Sequence, residues 1–186
     1  MIITNGKIIT YEQPNRILEG QAVLVQKGVI KQIGNQQKIL EGFPDEERLD
    51  AKGQLVMPGN ICAHTHFYGA YSRGMAIPGA APDSFPAILD KLWWPLDRSL
   101  SLEDVKYSAY VCILEAIQHG TTTLIDHHAS QNAVRGSLAE IAKVVEETGI
   151  RASLCYEVTD RDGEERTRQG IEENLENIRL VKNEKP

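Results

Sequence analysis

Two short segments of this sequence carry side-chain types that bind metals and move protons. The first is Leu55-Val56-Met57-Pro58-Gly59-Asn60-Ile61-Cys62-Ala63-His64-Thr65-His66, an apolar stretch ending in two histidines spaced i, i+2. On an extended strand that spacing sends both imidazoles to one face, and at the C-terminal end of a parallel strand that face is the usual active-site mouth. Neutral imidazole is the commonest metal-ligating side chain, so His64 and His66 are one half of a candidate metal site. As a bare pattern the pair is weak, because a chain with five histidines in 186 residues holds His-x-His by chance ~0.13 times. The second segment is Asp126-His127-His128, at the end of the β-branched run that starts at Thr121. Successive strand side chains point to opposite faces, so at least one of His127 and His128 lies away from a metal held by the first pair. Three readings stay open for Asp126, His127 and His128. One of them reaches the metal, or they shape the substrate mouth and orient a ligand through hydrogen bonds, or they cap a strand end with satisfied polar groups.

The elements that position these residues are marked by hydrophobic period and by end signals. Up to residue 56 the chain is β-rich: Ile2-Ile3 and Ile8-Ile9 flank Asn5-Gly6, and Ala22–Val25 and Val29–Gly34 flank Lys27-Gly28, so both pairs carry hairpin punctuation. Residues 35–50 are polar and predict a connection into a short strand over Gln54–Met57. From Pro58 on, short strands alternate with amphipathic helices, the pattern of a parallel α/β sheet. Ser101-x-x-Asp104 is a capping signal, Val105, Ala109, Cys112, Ile113 and Ala116 make an apolar stripe, and Gly120 is a stop, which predicts a helix over 102–119. Val134, Leu138, Ile141 and Val145 before Gly149 predict the next helix, Arg151–Val158 a strand, and Ile171, Leu175, Ile178 and Val181 a last helix. The result is three strand–helix units.

Composition excludes several function classes. A chain of 186 residues, 41% hydrophobic and 25% charged, has the make-up of a globular domain with a real core. Its net charge of −6, without a run of Lys or Arg, argues against a nucleic-acid partner. Cys62, Cys112 and Cys155 form neither a disulfide framework nor a CxxC motif and fit reduced, packed thiols. No apolar run approaches the ~18 residues of a membrane span, and the N-terminus lacks the basic and apolar regions of a signal peptide. A soluble, cytoplasmic protein with no membrane partner is expected.

The motifs also carry a family likeness. Pro58-Gly59 before His64-Thr65-His66, then Arg73-Gly74, and Gly120-Thr121-Thr122-Thr123 leading into Asp126-His127-His128, together resemble the amidohydrolase superfamily, in its branch of cytosine-deaminase-like and chlorohydrolase-like aminohydrolases. The longer runs His64–Ala70, Leu92–Trp94, Asp126–Ser130 and Cys155–Gly163 are similar to a subgroup of that branch associated with selenium metabolism. The resemblance spans essentially the whole chain.

What the resemblance implies is an α/β fold, the N-terminal part of a metal-dependent (β/α)₈ barrel with about three βα units (57–186), preceded by a segment of small β-sandwich (1–56) that such proteins build from both chain ends. It implies that His64 and His66 ligate a divalent metal, zinc or iron, which lowers the pKa of bound water. The reaction would be hydrolysis of a C–N bond in a small cyclic-amine or amidine-like substrate, by a homo-oligomer. Tyr68, Arg73 and Met75 then fall on the first barrel loop, where substrate contacts are expected, although Arg73 equally suits a local carboxylate. Ser84–Pro95 is expected as a short helix inserted in that loop, with Trp93 and Trp94 on different faces. Tyr68, Arg73, Asp126, His127 and His128 are the candidate substrate-binding or ligand-orienting residues. Two further histidines, an acid/base Glu and a metal-binding Asp have no counterparts here, so no catalytic residue is assigned. A (β/α)₈ barrel takes ~250 residues and this chain supplies about half of that after Pro58, so the expectation is an N-terminal fragment inactive alone. The alternative is a truncated, non-catalytic chain acting as an assembly partner; strands ending in His, His and Asp encoded beyond codon 186 would decide for the enzyme.

Overall fold

In the computed structural model, which describes residues 1–183, the chain divides into two units, Met1–Pro58 and Gly59 onward. In the first unit Asn5-Gly6 does not close a hairpin. Strand β1 (Ile2–Thr4) joins β4 (Gln21–Gln26), β5 (Val29–Asn35) and β6 (Arg48–Asp50) in a sheet of order β5-β4-β1-β6. Strand β2 (Lys7–Ile9) joins β3 (Ile17–Leu18) and β7 (Leu55–Val56) in a second sheet, order β3-β2-β7. Asn5-Gly6 is thus a crossing between sheets. Its geometry serves that role: Asn5 sits at φ 55°, its N–H donates to the Gln36 side chain at 2.7 Å and its side-chain amide to Asp50 at 3.0 Å. A Cβ on Gly6 would lie 2.4 Å from Val56 Cγ2, so only glycine fits this approach.

The second expected hairpin forms. Lys27 and Gly28 have φ of 52° and 73°, the left-handed pair of a two-residue turn, and β4 pairs antiparallel with β5. The stretch expected as a polar connection instead contains α1 (Gln36–Gly42), capped by the Asn35 side chain, which accepts from Lys38 N at 3.1 Å. Ile39 of α1 is buried with Ile2, Ala22 and Leu24 in the core of this unit. A cleft of about 510 Å³, lined by Ile3, Val23 and Ile33 from one sheet and Ile8 and Val56 from the other, lies between the sheets.

The second unit is built on three parallel strands, β8 (Asn60–Thr65), β9 (Thr121–His128) and β10 (Arg151–Tyr156), in the order β10-β9-β8. Between β8 and the first long helix the chain inserts a 3₁₀ turn (Phe67–Ser72) and a helical segment made of α2 (Phe85–Ile88), a π turn (Leu89–Trp93) and α3 (Trp94–Ser99). The helices α4 (Leu102–Gln118), α5 (Ser137–Thr148) and α6 (Glu164–Asn183) follow β8, β9 and β10 in turn, so the three expected strand–helix units are present. Helix α4 starts at a capping box in which Ser101 Oγ accepts from Asp104 N and the Asp104 carboxylate accepts from Ser101 N, and Gly120 follows it at φ 73°. Val105 and Ile113 of α4 and Leu138 and Ile141 of α5 pack against Leu124 and Tyr156 of the sheet. The other sheet face is open, with Ile61 67% and Ile125 41% exposed.

Helix α5 has no capping side chain of its own; Gly136 precedes it. Its orphan amides are taken by Glu173 of α6, buried at 3% exposure, which accepts from Gly136 N and Leu138 N at 2.8 Å each. A carboxylate at a helix N-terminus satisfies both the amides and the dipole. Glu173→Ala is expected to destabilise the chain by about 1–3 kcal/mol by leaving these amides without a partner, and Glu173→Gln, which keeps an acceptor, by less. Urea unfolding of the three proteins checks this order.

Candidate metal centre

The strand that carries the histidines is not regular. Cys62 pairs with Leu124 and Thr65 with Asp126, so three steps along β8 match two along β9. One extra residue is accommodated between Cys62 and Thr65, a bulge of the kind that re-aims side chains beside functional sites. The strand then ends at Thr65, and His66, extended at φ −136°, ψ 94°, opens the 3₁₀ turn. The expectation of two histidines on one regular strand is therefore corrected, but the two rings still converge. His64 Nε2 and His66 Nε2 are 3.0 Å apart, with the ring planes at 84°. Pro58-Gly59 sets the start of this strand: a Cβ on Gly59 would fall 2.1 Å from Thr122 Cγ2, so the neighbouring strand leaves room only for glycine.

The end of β9 holds this arrangement. His66 Nδ1 lies 2.8 Å from the carbonyl oxygen of His127; a carbonyl only accepts, so Nδ1 carries the proton and Nε2 the lone pair. Asp126, fully buried, accepts from Phe67 N at 2.8 Å through Oδ1. Thr65 Oγ1 gives its one proton to the Ile125 carbonyl at 2.9 Å and lies 3.5 Å from Asp126 Oδ1. Side chain and backbone of β9 thus grip the residues on both sides of His66. Burial pushes the Asp126 carboxyl up to about 7 against its hydrogen bonding, and its Oδ2 has no partner among the described residues.

Alternation along β9 separates the other candidates. Leu124, Asp126 and His128 are buried on the helix side, while Ile125 is exposed and His127 half-buried on the other. The His127 ring lies 5.6 Å from that of His66. His128 is sealed among Tyr68 and Tyr156, with ring centroids 5.8 and 5.9 Å away. Ser130 Oγ donates to the Ala133 carbonyl at 2.9 Å, so at 2.9 Å it accepts from His128 Nε2. Burial holds His128 neutral, its pKa pushed down to about 3. Among the described residues no third His, Cys, Asp or Glu joins His64 and His66 in a metal-ligating group.

Tyr68 is buried beneath the pair, its ring 5.9 Å from His66 and 6.0 Å from Trp93. Arg73 takes the local carboxylate, Glu115, at 3.0 Å, yet it also borders a pocket of about 290 Å³ that includes His64, His66, Gly69, Trp93 and Cys112. His119 follows α4 as its C-terminal cap, its Nδ1 2.8 Å from the Glu115 carbonyl. Glu157 pairs with Arg161 at 3.2 Å. Two contributors carry no sequence signal: the His127 carbonyl, which is backbone, and Cys112, which reads as one more apolar position of α4.

The donor set fits a metal. Two Zn–N bonds near 2.0 Å in a tetrahedron place the nitrogens ~3.3 Å apart, close to the 3.0 Å between the two Nε2 atoms, and a carbonyl partner on Nδ1 is the usual means of fixing a ligating imidazole.

Comparison with known proteins gives a consistent setting. The model of the Amidohydrolase family matches residues 55–185. The 5-methylthioadenosine/S-adenosylhomocysteine deaminase of Acetivibrio thermocellus is 35% identical over 156 residues, 83% of this chain and 33% of that protein. The structure of E. coli guanine deaminase superposes with a TM-score of 0.78 at 18% identity, over 96% of this chain and 43% of the other. Atrazine chlorohydrolase TrzN from Arthrobacter aurescens TC1, complexed with zinc, gives 0.67 at 21% identity, over 83% and 35%. The chain spans about a third to two-fifths of the length of the curated relatives it matches.

Proposed function

The chain belongs to the amidohydrolase family, and from that premise we propose that it is the N-terminal portion of a zinc-dependent aminohydrolase. In this reading β8, β9 and β10 are the first three strands of a (β/α)₈ barrel, and Met1–Pro58 is part of a β-sandwich completed by later chain. The observation that carries it is the 3.0 Å convergence of His64 Nε2 and His66 Nε2, with His66 Nδ1 committed to the His127 carbonyl. The substrate is a small molecule with an amino-substituted, amidine-like carbon, and the reaction replaces that amino group by oxygen and releases ammonia. The deaminase names of the relatives support this choice, and the finer likeness of His64–Ala70, Leu92–Trp94 and Cys155–Gly163 supports an aminohydrolase of the SsnA type, associated with selenium metabolism.

Each residue has a task in this scheme. Bound at His64 and His66, the metal supplies the Lewis acidity that makes water nucleophilic at neutral pH; iron is the alternative to zinc, since imidazole suits both. The His127 carbonyl holds the His66 tautomer, Asp126 holds the backbone N–H of Phe67 next to it, and Trp93, with Tyr68 packed against it, gives the mouth an apolar wall. A cytoplasmic homo-oligomer completes the reading. No helix among the described residues is long and apolar enough to cross a membrane, and Tyr107, Val111 and Leu114 of α4 leave an apolar stripe half exposed.

Ammonia release tests the proposal. A polypeptide extended to the length of the relatives, loaded with zinc, is expected to deaminate one or more amino-substituted purines or pyrimidines, and residues 1–186 alone are expected to deaminate none. Zinc-dependent turnover by rigorously purified residues 1–186, or none by the longer polypeptide on any such heterocycle, would count against it.

A further inference from the structure

Arg161 was not among the expected functional residues, yet it forms the most buried ion pair of the second unit. Its Nη1 and Nη2 donate to Asp97 Oδ1 and Oδ2 at 3.3 and 2.5 Å. The two side chains are only 9% and 1% exposed. Nε and Nη2 also donate to Glu157 Oε1 at 3.3 and 3.2 Å, and the Asp162 carboxylate lies 3.6 Å from Nη1. One face of the guanidinium lies over the Trp94 ring, 5.4 Å from its centroid. Every guanidinium nitrogen of Arg161 is committed to a carboxylate, so it is placed to fasten elements together rather than to bind substrate.

What it fastens is the inserted segment. Arg161 and Glu157 belong to the loop after β10, whereas Trp94 and Asp97 belong to the helical segment inserted after β8. In the π turn of that segment Trp94 N donates to the Leu89 carbonyl, five residues back. Pro95, with no N–H, denies the Lys91 carbonyl its α-helical partner. Trp93 and Trp94 therefore face different neighbours. Trp94 meets Arg161, while Trp93 packs with Tyr68, Leu96 and Ala129 and lies 3.5 Å from where a Cβ on Gly69 would be. Trp93 caps and Asp97 belongs to the same short helix α3, so a displacement of Asp97 is passed to Trp93 through a backbone of only four residues.

We infer that Arg161, through Asp97 and Trp94, is the positioning residue that holds Trp93 as a wall of the pocket beside His64 and His66. The meaning of that pocket rests on the proposed function; the latch itself does not. A buried carboxylate stripped of its partner is strongly unfavourable, so without Arg161 the segment swings Asp97 out to water and takes Trp93 with it.

The test uses residues 1–186 and needs neither metal nor turnover, so its failure is distinguishable from failure of the aminohydrolase reading, which ammonia release decides. In a Trp94→Phe background, which keeps an aromatic ring under the guanidinium, Trp93 is the sole tryptophan reporter. Arg161→Met is expected to shift its emission to the red and to speed amide exchange of Phe85–Ser99 by about tenfold or more, as local opening does, while β9 and α5 exchange as before. Adding Asp97→Asn removes the unpaired charge and is expected to recover part of both signals, which loss of packing alone would not do; it also guards against failure of the single variant to fold. Unchanged emission and exchange in Arg161→Met, loosening spread evenly over the second unit, or a double variant no better than the single one would overturn the inference.

Discussion

Alanine in place of either His64 or His66 is expected to abolish zinc-dependent ammonia release by the polypeptide at its relatives' length, while leaving it folded. The loss is expected to exceed by far the ~10–100-fold that follows removal of an outer hydrogen-bond partner of a metal site, because a ligand itself goes. The fold should tolerate both changes. His64 is exposed and His66 half-buried, so neither fills the core; His64→Ala should lie within ~0.5 kcal/mol of wild type, as surface substitutions do. His66→Ala gives up one hydrogen bond to the His127 carbonyl, about 1 kcal/mol. Metal content by atomic absorption and thermal unfolding, read together, separate loss of the ligand from loss of the fold. Full turnover in the double alanine variant, or zinc retained in it, would sink the assignment.

Asp126→Ala should weaken metal binding and the fold together. Phe67 is fully buried and its N–H has Asp126 Oδ1 as acceptor; an orphaned buried amide costs about 1–3 kcal/mol. The same deletion frees the backbone that follows His66, where Phe67 N loses its acceptor, so zinc affinity should fall by the ~10–100-fold typical of lost outer support. Asp126→Asn keeps an oxygen at Oδ1 and should recover most of the stability. Equilibrium dialysis against zinc and urea unfolding measure the two quantities. An alanine variant equal to wild type in both would mean that Asp126 only fills a strand end.

The sequence made the periodic elements legible because their signals are local. Ser101 and Asp104, the stripe from Val105 to Ala116, and Gly120 lie within one helix and its caps, and they place α4 to within a residue. Lys27-Gly28 likewise marks a hairpin because both residues adopt the left-handed backbone themselves. Asn5-Gly6 offers the same turn chemistry, but which strands it joins is decided by β4, β6 and β7, tens of residues away. Helix α1 is two turns long with one buried residue, Ile39, too little for a period to show. In the candidate site the histidine pair was legible, and the bulge was not, because a bulge exists only relative to the register of β9. Asp97 and Arg161, 64 residues apart, read singly as ordinary surface charges. Only the folded sheet brings their loops together.

The borrowed cap of α5 also has a temporal side. Glu173 follows Leu138 by 35 residues, and at the ~5–20 residues per second of protein synthesis those residues take a few seconds to make. Through that interval a nascent chain would present the start of α5 with bare amides at Gly136 and Leu138 and nothing docked over them. The second strand–helix unit is thus completed by the third, and a pause in translation between Thr148 and Glu173 would prolong the window in which chaperones or other nascent chains compete for this segment.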